Sequence, residues 1–565
     1  MLRVRRLGRV AYQDAVSFQR ALATHGNDEY LLLLEHPHVY TLGVRADPAH
    51  VLVDPESVGA DLVTTDRGGD VTYHGPGQVV VYPVVSLEED PGSGPRHVHN
   101  LEKVVVRALQ LIGVPETVRG IGTLPGYPGV WLGTDSDRPR KVAAIGVKTV
   151  RSDSGVKRSL HGVAVNVDCD MKMFSHIVPC GIHEYEVTSL EEEGFKTTFQ
   201  DVLNALEVES VRLWGGAGVD RGGEKSEHTS DQSVPGSPPG PGPGPGPGPG
   251  PDAACATPGQ LSVPVAMRGR LRRAGVDADS AKPVSERKPE WLRAPLKIGP
   301  QYLATGRTLN GLGLVTVCEE AGCPNIYECW AEGTATFMVN GDRCTRACGF
   351  CQVDSRRPLP VDPSEPERIA RAVESMNLAH AVVTCVARDD LADGGAGAIA
   401  ESINAIRSSS PATRIEVLIS DCKGDSESLS KIFEARPDVL NHNIETVARL
   451  QRLVRPSAGY GRSLSVLARA VDAGLVVKSG LMVGLGEDDD EVVSTLADLA
   501  NVGVSIATIG QYLRPSSKHL PVVRWWTPSD FARLKSVGVD LGIRHVESSP
   551  LTRSSYHARA AAEAV

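Results

Sequence analysis

Six of the 11 cysteines in this 565-residue chain fall between positions 318 and 351, as Cys318-x4-Cys323-x5-Cys329 and then Cys344-x3-Cys348-x2-Cys351. Two groups of three thiols exceed what packing asks of a reduced chain, so metal binding is the first expectation. Soft thiolates suit iron-sulfur clusters, and a cubane held by three protein ligands keeps its fourth iron open for a small molecule. Structural zinc is the alternative. It wants a fourth ligand, and the nearest downstream histidine, His380, lies beyond the usual finger spacing.

The second triad lies in Gly341-Asp342-Arg343-Cys344-Thr345-Arg346-Ala347-Cys348-Gly349-Phe350-Cys351, just after the apolar Thr336-Phe337-Met338-Val339. This string resembles the radical S-adenosylmethionine (SAM) enzymes. The resemblance implies that Cys344, Cys348 and Cys351 hold a [4Fe-4S] cluster whose open iron takes the methionyl end of SAM, and that cleavage of SAM yields a 5′-deoxyadenosyl radical. The first triad, in Cys318-Glu319-Glu320-Ala321-Gly322-Cys323-Pro324-Asn325-Ile326-Tyr327-Glu328-Cys329-Trp330, is similar to the auxiliary-cluster signature of lipoyl synthases. Lys288-Pro289-Glu290-Trp291-Leu292-Arg293 and Gln511-Tyr512-Leu513-Arg514-Pro515 fit the same family, with Arg514 in a structural part. Arg553-Ser554-Ser555-Tyr556 resembles the motif by which that family adds a serine oxygen, here Ser555, to a second [4Fe-4S] cluster. A hard oxygen on a thiolate-held cluster is a releasable bond, as a cluster that gives up its own sulfide requires. Taken alone, the two serines read as caps of a terminal turn. The resemblance further places the backbone of Gly394 and Gly395 at the SAM amino group and Asn443 and Glu445 at its nucleoside end. Ala387 stands where the family often has Asp.

Far upstream, the run Arg67-Gly68-Gly69-Asp70-Val71-Thr72-Tyr73-His74-Gly75-Pro76-Gly77-Gln78 lets a ligand approach backbone where no side chain intervenes. Together with Lys141-Val142-Ala143-Ala144-Ile145-Gly146-Val147, His161-Gly162-Val163-Ala164-Val165-Asn166-Val167 and Pro179-Cys180-Gly181, in that order, it resembles the octanoyltransferases that feed lipoate synthesis. Acyl transfer from a thioester to an amine needs a thiolate nucleophile. Cys169 stands between Asp168 and Asp170, whose charge disfavours its thiolate, whereas Cys180 has no acidic flank. A lysine brought near Cys180 would favour its charged form and carry the proton of the attacking amine. The family pattern gives this part to Lys141, and Lys148 and Lys157 read as solvated surface lysines. It implies substrate contacts at Arg67, Gly68, Gly69, Asp70, Val71, Thr72, Tyr73 and His74, and at Ala144, Ile145, Gly146, Gly162, Val163 and Ala164. His74 and His161 would shape the acyl pocket.

These residues must be positioned by two folded units. Residues 1–214 alternate apolar runs such as Tyr30-Leu31-Leu32-Leu33-Leu34 with amphipathic stretches such as His99 to Leu111, a mixed α and β pattern. The resemblance makes this an α+β acyltransferase of the biotin/lipoate ligase-like type. Residues 215–285 read as a linker. Its near-perfect Gly-Pro alternation from Pro238 to Pro251 lacks the N–H groups for helix or sheet and has a period of two, unlike collagen, so a disordered semi-extended spacer is expected. Such a tether would raise the local concentration of the second site for a just-acylated carrier. Residues 286–565 show six strand candidates, Thr336–Val339, Ala381–Val386, Ile415–Ile419, Val439–Asn443, Val476–Val483 and Ile506–Tyr512, alternating with helices. They predict an incomplete (β/α)6 barrel with its site at the carboxyl ends of the strands.

The length calls for two or three domains. A net charge of -10 and a pI near 5.9 give no basic footprint, so no nucleic acid partner is expected. No apolar run reaches the roughly 18 residues of a membrane span. The Arg-rich start lacks Ser and runs straight into foldable sequence, so a cytoplasmic enzyme is expected over an imported one. The implied function is bifunctional: octanoyl moves from acyl carrier protein to a lipoyl-domain lysine, on 2-oxoacid dehydrogenase E2 subunits or the glycine cleavage H protein. Two sulfurs then enter at C6 and C8, with electrons from a donor such as flavodoxin or ferredoxin. Three alternatives stand beside it: an ATP-using lipoate ligase in the first half, another sulfur inserter such as biotin synthase in the second, and a zinc-stabilised scaffold for carrier proteins.

Overall fold

In the computed structural model, residues 1–114, 120–181, 184–216, 218–221, 265–294, 298–331 and 335–565 are described. The Gly-Pro run Pro238 to Pro251 and Cys255, on which the spacer reading rests, lie outside them.

The first half runs β1 (Leu2–Arg9), α1 (Tyr12–Thr24), β2 (Glu29–Glu35), β3 (Val39–Leu42), β4 (Asp61–Thr64), β5 (Val71–His74), β6 (Gln78–Val84), α2 (Ser93–Leu111), β7 (Ile121–Leu124), β8 (Tyr127–Leu132), β9 (Arg140–Arg151), β10 (Lys157–Asn166), β11 (Glu186–Val187) and α3 (Phe199–Trp214). A two-residue strand, β12 (Val219–Asp220), pairs with β1 at one edge. The main sheet is ordered β12-β1-β2-β6-β10-β9-β8-β7, with β11 beside β9, and β4-β3-β5 form a small second sheet. The leucine run of β2 is apolar at every position because both its faces are covered. Tyr30, Leu32 and Leu34 pack with Phe18 and Leu22 of α1, while Leu31 and Leu33 pack with Leu101 of α2 and Leu206 of α3.

Part of the expected linker is ordered. Beyond β12, α4 (Val265–Arg273) buries Leu271 against the second half, and Val276 packs where Gly486 leaves room for it. The Lys282 amide donates to the Val522 carbonyl at 2.7 Å. The second half then builds one sheet in sequence order: β13 (Val315–Thr316), β14 (Thr336–Val339), β15 (His380–Cys385), β16 (Arg414–Leu418), β17 (Val439–Asn441), β18 (Val477–Val483), β19 (Ile506–Gln511) and β20 (His545–Ser548). Strands β14 to β20 are parallel and β13 is antiparallel. All six expected strands are present, and β20 adds a seventh parallel strand. Its sequence, His545-Val546-Glu547-Ser548, has a single apolar residue and gave no signal.

The two halves are packed together. Helix α1 lies on the helix Tyr460–Asp472, and Phe18 and Leu22 share a core with Leu464 and Leu467. The guanidinium of Arg5 on β1 meets the Asp498 carboxylate of the helix Asp489–Asn501 at 2.8 Å, both side chains almost wholly buried. Tyr30 and Tyr460 hydroxyls donate to the same carboxylate, at 3.1 and 2.8 Å. Asp14 of α1 takes Arg462 and Arg469 at 3.2 and 3.1 Å.

Candidate active sites

In the first half, β9 carries Lys141 and β10, its antiparallel neighbour, carries Gly162 to Ala164. The chain then doubles back so that Val187 of β11 pairs with Lys141. This return brings Cys180 to the lysine: Lys141 Nζ lies 3.6 Å from Cys180 Sγ. Cys180 holds a left-handed backbone (φ 59°), a conformation costly outside glycine and one that recurs at functional sites. Its turn is pinned by Val178 N–H on the His50 carbonyl (2.8 Å) and Gly181 N–H on the Val178 carbonyl (3.1 Å). His50 and Asp70, themselves 2.7 Å apart, flank Gly181. Burial pushes Cys169 up to about 12, ahead of any effect from Asp168, so it stays a thiol. Lys148 is no bland surface group, since it holds Asp66 at 2.9 Å opposite His161 Nε2 at 2.9 Å.

Two adjoining cavities meet at Cys180. One is lined by Arg67, Gly68, Gly69, Asp70, Thr72, His74, Ala144 to Gly146 and His161 to Ala164. The other takes in Lys141, Tyr73, Thr72, Ala144 and Ala164. Of the expected substrate residues only Val71 has no side chain in either. It packs instead with Tyr40, Tyr73 and Met173. Burial holds His74 well below its usual titration, and its Nδ1 donates to the Gln78 side-chain oxygen at 3.2 Å, so the partnerless Nε2 is left as a buried acceptor for a ligand N–H or O–H. Tyr12 and Tyr82 also line the first cavity, and Tyr12 stacks on His74. The sequence carried no signal for them, because each is a lone aromatic outside any motif.

In the second half one cavity of about 660 Å³ gathers Cys318, Cys323, Ser554 and Ser555 with Cys344, Cys351, Asn443 and Glu445. Cys348 and Cys329 stand just outside its wall. The C-terminal segment closes over the first triad: Asn325 Nδ2 donates to the Leu551 carbonyl at 2.8 Å, and the Tyr556 hydroxyl to Glu328 at 3.3 Å. Asn443 binds both Glu445 (3.1 Å) and Ser554 (2.7 Å). Gly394 and Gly395 adopt left-handed backbones but are not on the cavity wall, and the Gly395 carbonyl is taken by Asn340 at 3.1 Å. Ala387 is on the wall, its carbonyl holding Thr345 of the cysteine loop at 2.9 Å. Arg514 bonds carbonyls of its own loop, at Ser516, Ser517 and His519. Sequence reasoning missed Arg346, which fixes the loop to Asp389 (2.7 Å) and Asp421 (2.6 Å).

The thiols fit iron-sulfur groups. Burial pushes Cys348 up to about 12 and Cys318 and Cys351 up to about 11, so without a cation these thiols keep their protons. A positively charged centre reverses that preference. Among the described residues no three of His, Cys, Asp or Glu converge as ligands of a single ion do. A cubane takes its cysteines at separate corners. Among the described residues no helix is long and apolar enough to cross a membrane.

The profile of the lipoyl protein ligase A/B catalytic domain matches residues 11–210, and that of the radical SAM superfamily matches residues 338–499. The chain is thus an enzyme of two catalytic domains, the first of the lipoate ligase and octanoyltransferase class and the second a radical SAM enzyme. Over the C-terminal half it is 55% identical to the lipoyl synthase of Rubrobacter xylanophilus across 273 residues, 48% of this chain and 85% of that one. It is 50% identical to that of Frankia casuarinae across 283 residues (50% and 85%) and 48% identical to that of Mycobacterium tuberculosis across 294 (52% and 94%). The chain belongs to the lipoyl synthase family, and SAM and [4Fe-4S] clusters are its cofactors. A bi-partite lipoate protein ligase from Thermoplasma acidophilum overlays 39% of this chain and 84% of its own at 17% identity, with a TM-score of 0.31, too low to inform the fold.

Proposed function

We propose that residues 1–214 transfer octanoyl from acyl carrier protein to a lysine of a lipoyl domain, on E2 subunits or H protein, through a Cys180 thioester. Residues 286–565 then insert sulfur at C6 and C8 of that chain. The 3.6 Å approach of Lys141 to Cys180 carries the first part, since an adenylate-forming ligase has no use for a thiol paired with an amine. Cys180 sulfur attacks the octanoyl carbonyl, the carrier's sulfur leaves, and Lys141 gives that sulfur a proton. The acceptor amine then attacks the Cys180 thioester, Lys141 takes the proton it loses, and Cys180 departs as thiolate. Tyr12, Tyr82 and Val163 enclose the acyl chain.

In the second half, Cys344, Cys348 and Cys351 would hold one cluster, and Cys318, Cys323, Cys329 and Ser555 the other. These groups and SAM supply the radical that removes unactivated hydrogens and the sulfur that replaces them, chemistry no side chain performs. Asn443 and Glu445 orient the nucleoside end, with burial raising the Glu445 carboxyl. The domain boundaries follow from this division of labour. The test is anaerobically reconstituted protein with octanoyl-carrier protein, apo lipoyl domain, SAM and a strong reductant, the acceptor's intact mass being followed in time. An octanoyl mass giving way to a lipoyl mass is expected. An acceptor left unmodified until ATP and free acid are added would replace the transferase by a ligase.

A further inference from the structure

A cleft of about 740 Å³ runs between the halves, walled by β1, α4 and the segment Ala448 to Arg462. Seven arginines line it against one carboxylate, Asp14. Four are neutralised: Arg6 by Glu207, Arg9 by Glu35, Arg449 by Glu491 and Arg462 by Asp14. Among the described residues, Arg273 and Arg452 have no ion pair, and Arg270 donates only to the neutral Leu453 carbonyl at 3.1 Å. Three uncompensated guanidiniums thus converge on a chain whose net charge is -10. An acidic protein is repelled by the rest of this surface and steered to the cleft.

The cleft shares no lining residue with the acyl cavities or with the cysteine cavity. What it touches is the backbone that holds the cysteine loop. Leu453 faces Arg270, the next carbonyl, Val454, accepts the Gly349 amide at 2.8 Å between Cys348 and Cys351, and Arg455 reaches inward to the Asn443 carbonyl at 3.0 Å. A partner seated here is joined to the loop through packed protein and not through an opening. That connection passes an electron and excludes an acyl arm.

We propose that this cleft is the docking surface for a small acidic electron-carrier protein that reduces the group held by Cys344, Cys348 and Cys351. This rests on the reading of that triad given above. One electron leaves the donor's reduced centre and enters the cluster. No bond is made or broken, and the donor departs oxidised.

The test uses the full reconstituted chain, an acidic [2Fe-2S] ferredoxin as probe, and the variants Arg273→Glu, Arg452→Glu and their combination. Binding of oxidised ferredoxin, measured by calorimetry at low and high salt, is expected to weaken about tenfold or more in the double variant and to lose much of its salt dependence. Cluster absorbance, dithionite reduction and acyl transfer stay at wild-type levels, which shows the fold intact. Unchanged ferredoxin binding in the double variant overturns the proposal. So does loss of lipoyl-domain binding with ferredoxin binding unchanged, which assigns the cleft to the acyl carrier. If the triad reading itself is at fault, Cys344→Ala keeps the full wild-type iron content instead of losing about half of it, a result independent of the cleft.

Discussion

Lys141 and Cys180 are brought to 3.6 Å by the pairing of Val187 with Lys141, which folds the cysteine turn back over its own strand. The lysine is almost fully buried and its ammonium stands 4.8 Å above the Trp131 ring, so its reach to the sulfur is fixed from two sides.

Cys180→Ala is expected to abolish transfer and the octanoyl-enzyme mass seen on mixing with octanoyl-carrier protein. Lys141→Met is expected to slow transfer by about 10²- to 10⁴-fold while a slowly formed acyl-enzyme is still trapped. Equal acyl-enzyme formation in wild type and Lys141→Met would remove the lysine from the first step.

The two cysteine triads are expected to separate by product. Cys348→Ala should yield no 5′-deoxyadenosine. Ser555→Ala should keep its formation and lower sulfur insertion by more than about tenfold, the low end for losing even an outer-shell partner of a metal site. A Ser555→Ala variant that inserts sulfur at the wild-type rate would return this serine to the terminal turn.

Stability is expected to fall on mild acidification. Burial holds His36, His97 and His442 down to about 4, against an unfolded value near 6.5. Between those values the unfolded chain binds more protons, so the stability these rings contribute is fully present above pH 6.5 and is lost as pH falls towards 4. Each histidine is expected to remove about 2 kcal/mol between pH 7 and 5. Urea unfolding followed by tryptophan fluorescence should show the midpoint falling, and His97→Phe should shallow that fall. A midpoint independent of pH over this range would contradict the burial argument.

Asp498→Ala leaves the buried Arg5 with Asp220 alone, at 3.0 Å, strips the Tyr30 and Tyr460 hydroxyls of their acceptor, and is expected to cost about 3 kcal/mol. Limited proteolysis should then release the first half readily, while an exposed control such as Glu563→Ala changes nothing. Equal proteolytic resistance in both variants would mean that the halves are held by something other than this pair.

The motifs carried most of the site, because cysteine spacing and Gly-rich runs are local in sequence. The six strands were legible from their apolar runs, and β20 was not, since Val546 alone marks it. The resemblance places the backbone of Gly394 and Gly395 at the SAM amino group. Asn340, just after β14, donates to the Gly395 carbonyl, a contact between strand ends that spacing does not show. The interface was invisible for another reason. Arg5 and Asp498 are 493 residues apart, and each reads singly as a surface charge. The Arg-rich composition of α4 likewise hides Leu271, which is buried in the core of the second half.

Arg5, Asp14, Tyr30 and their partners on the second half make the distance between the two reaction chambers a constant of the molecule. Under the proposed function, turnover becomes a logistics problem for the visitor, which has to leave the first site before it offers the same arm at the second. What the covalent join guarantees is parity, one loading station for every finishing station, whatever the traffic between them.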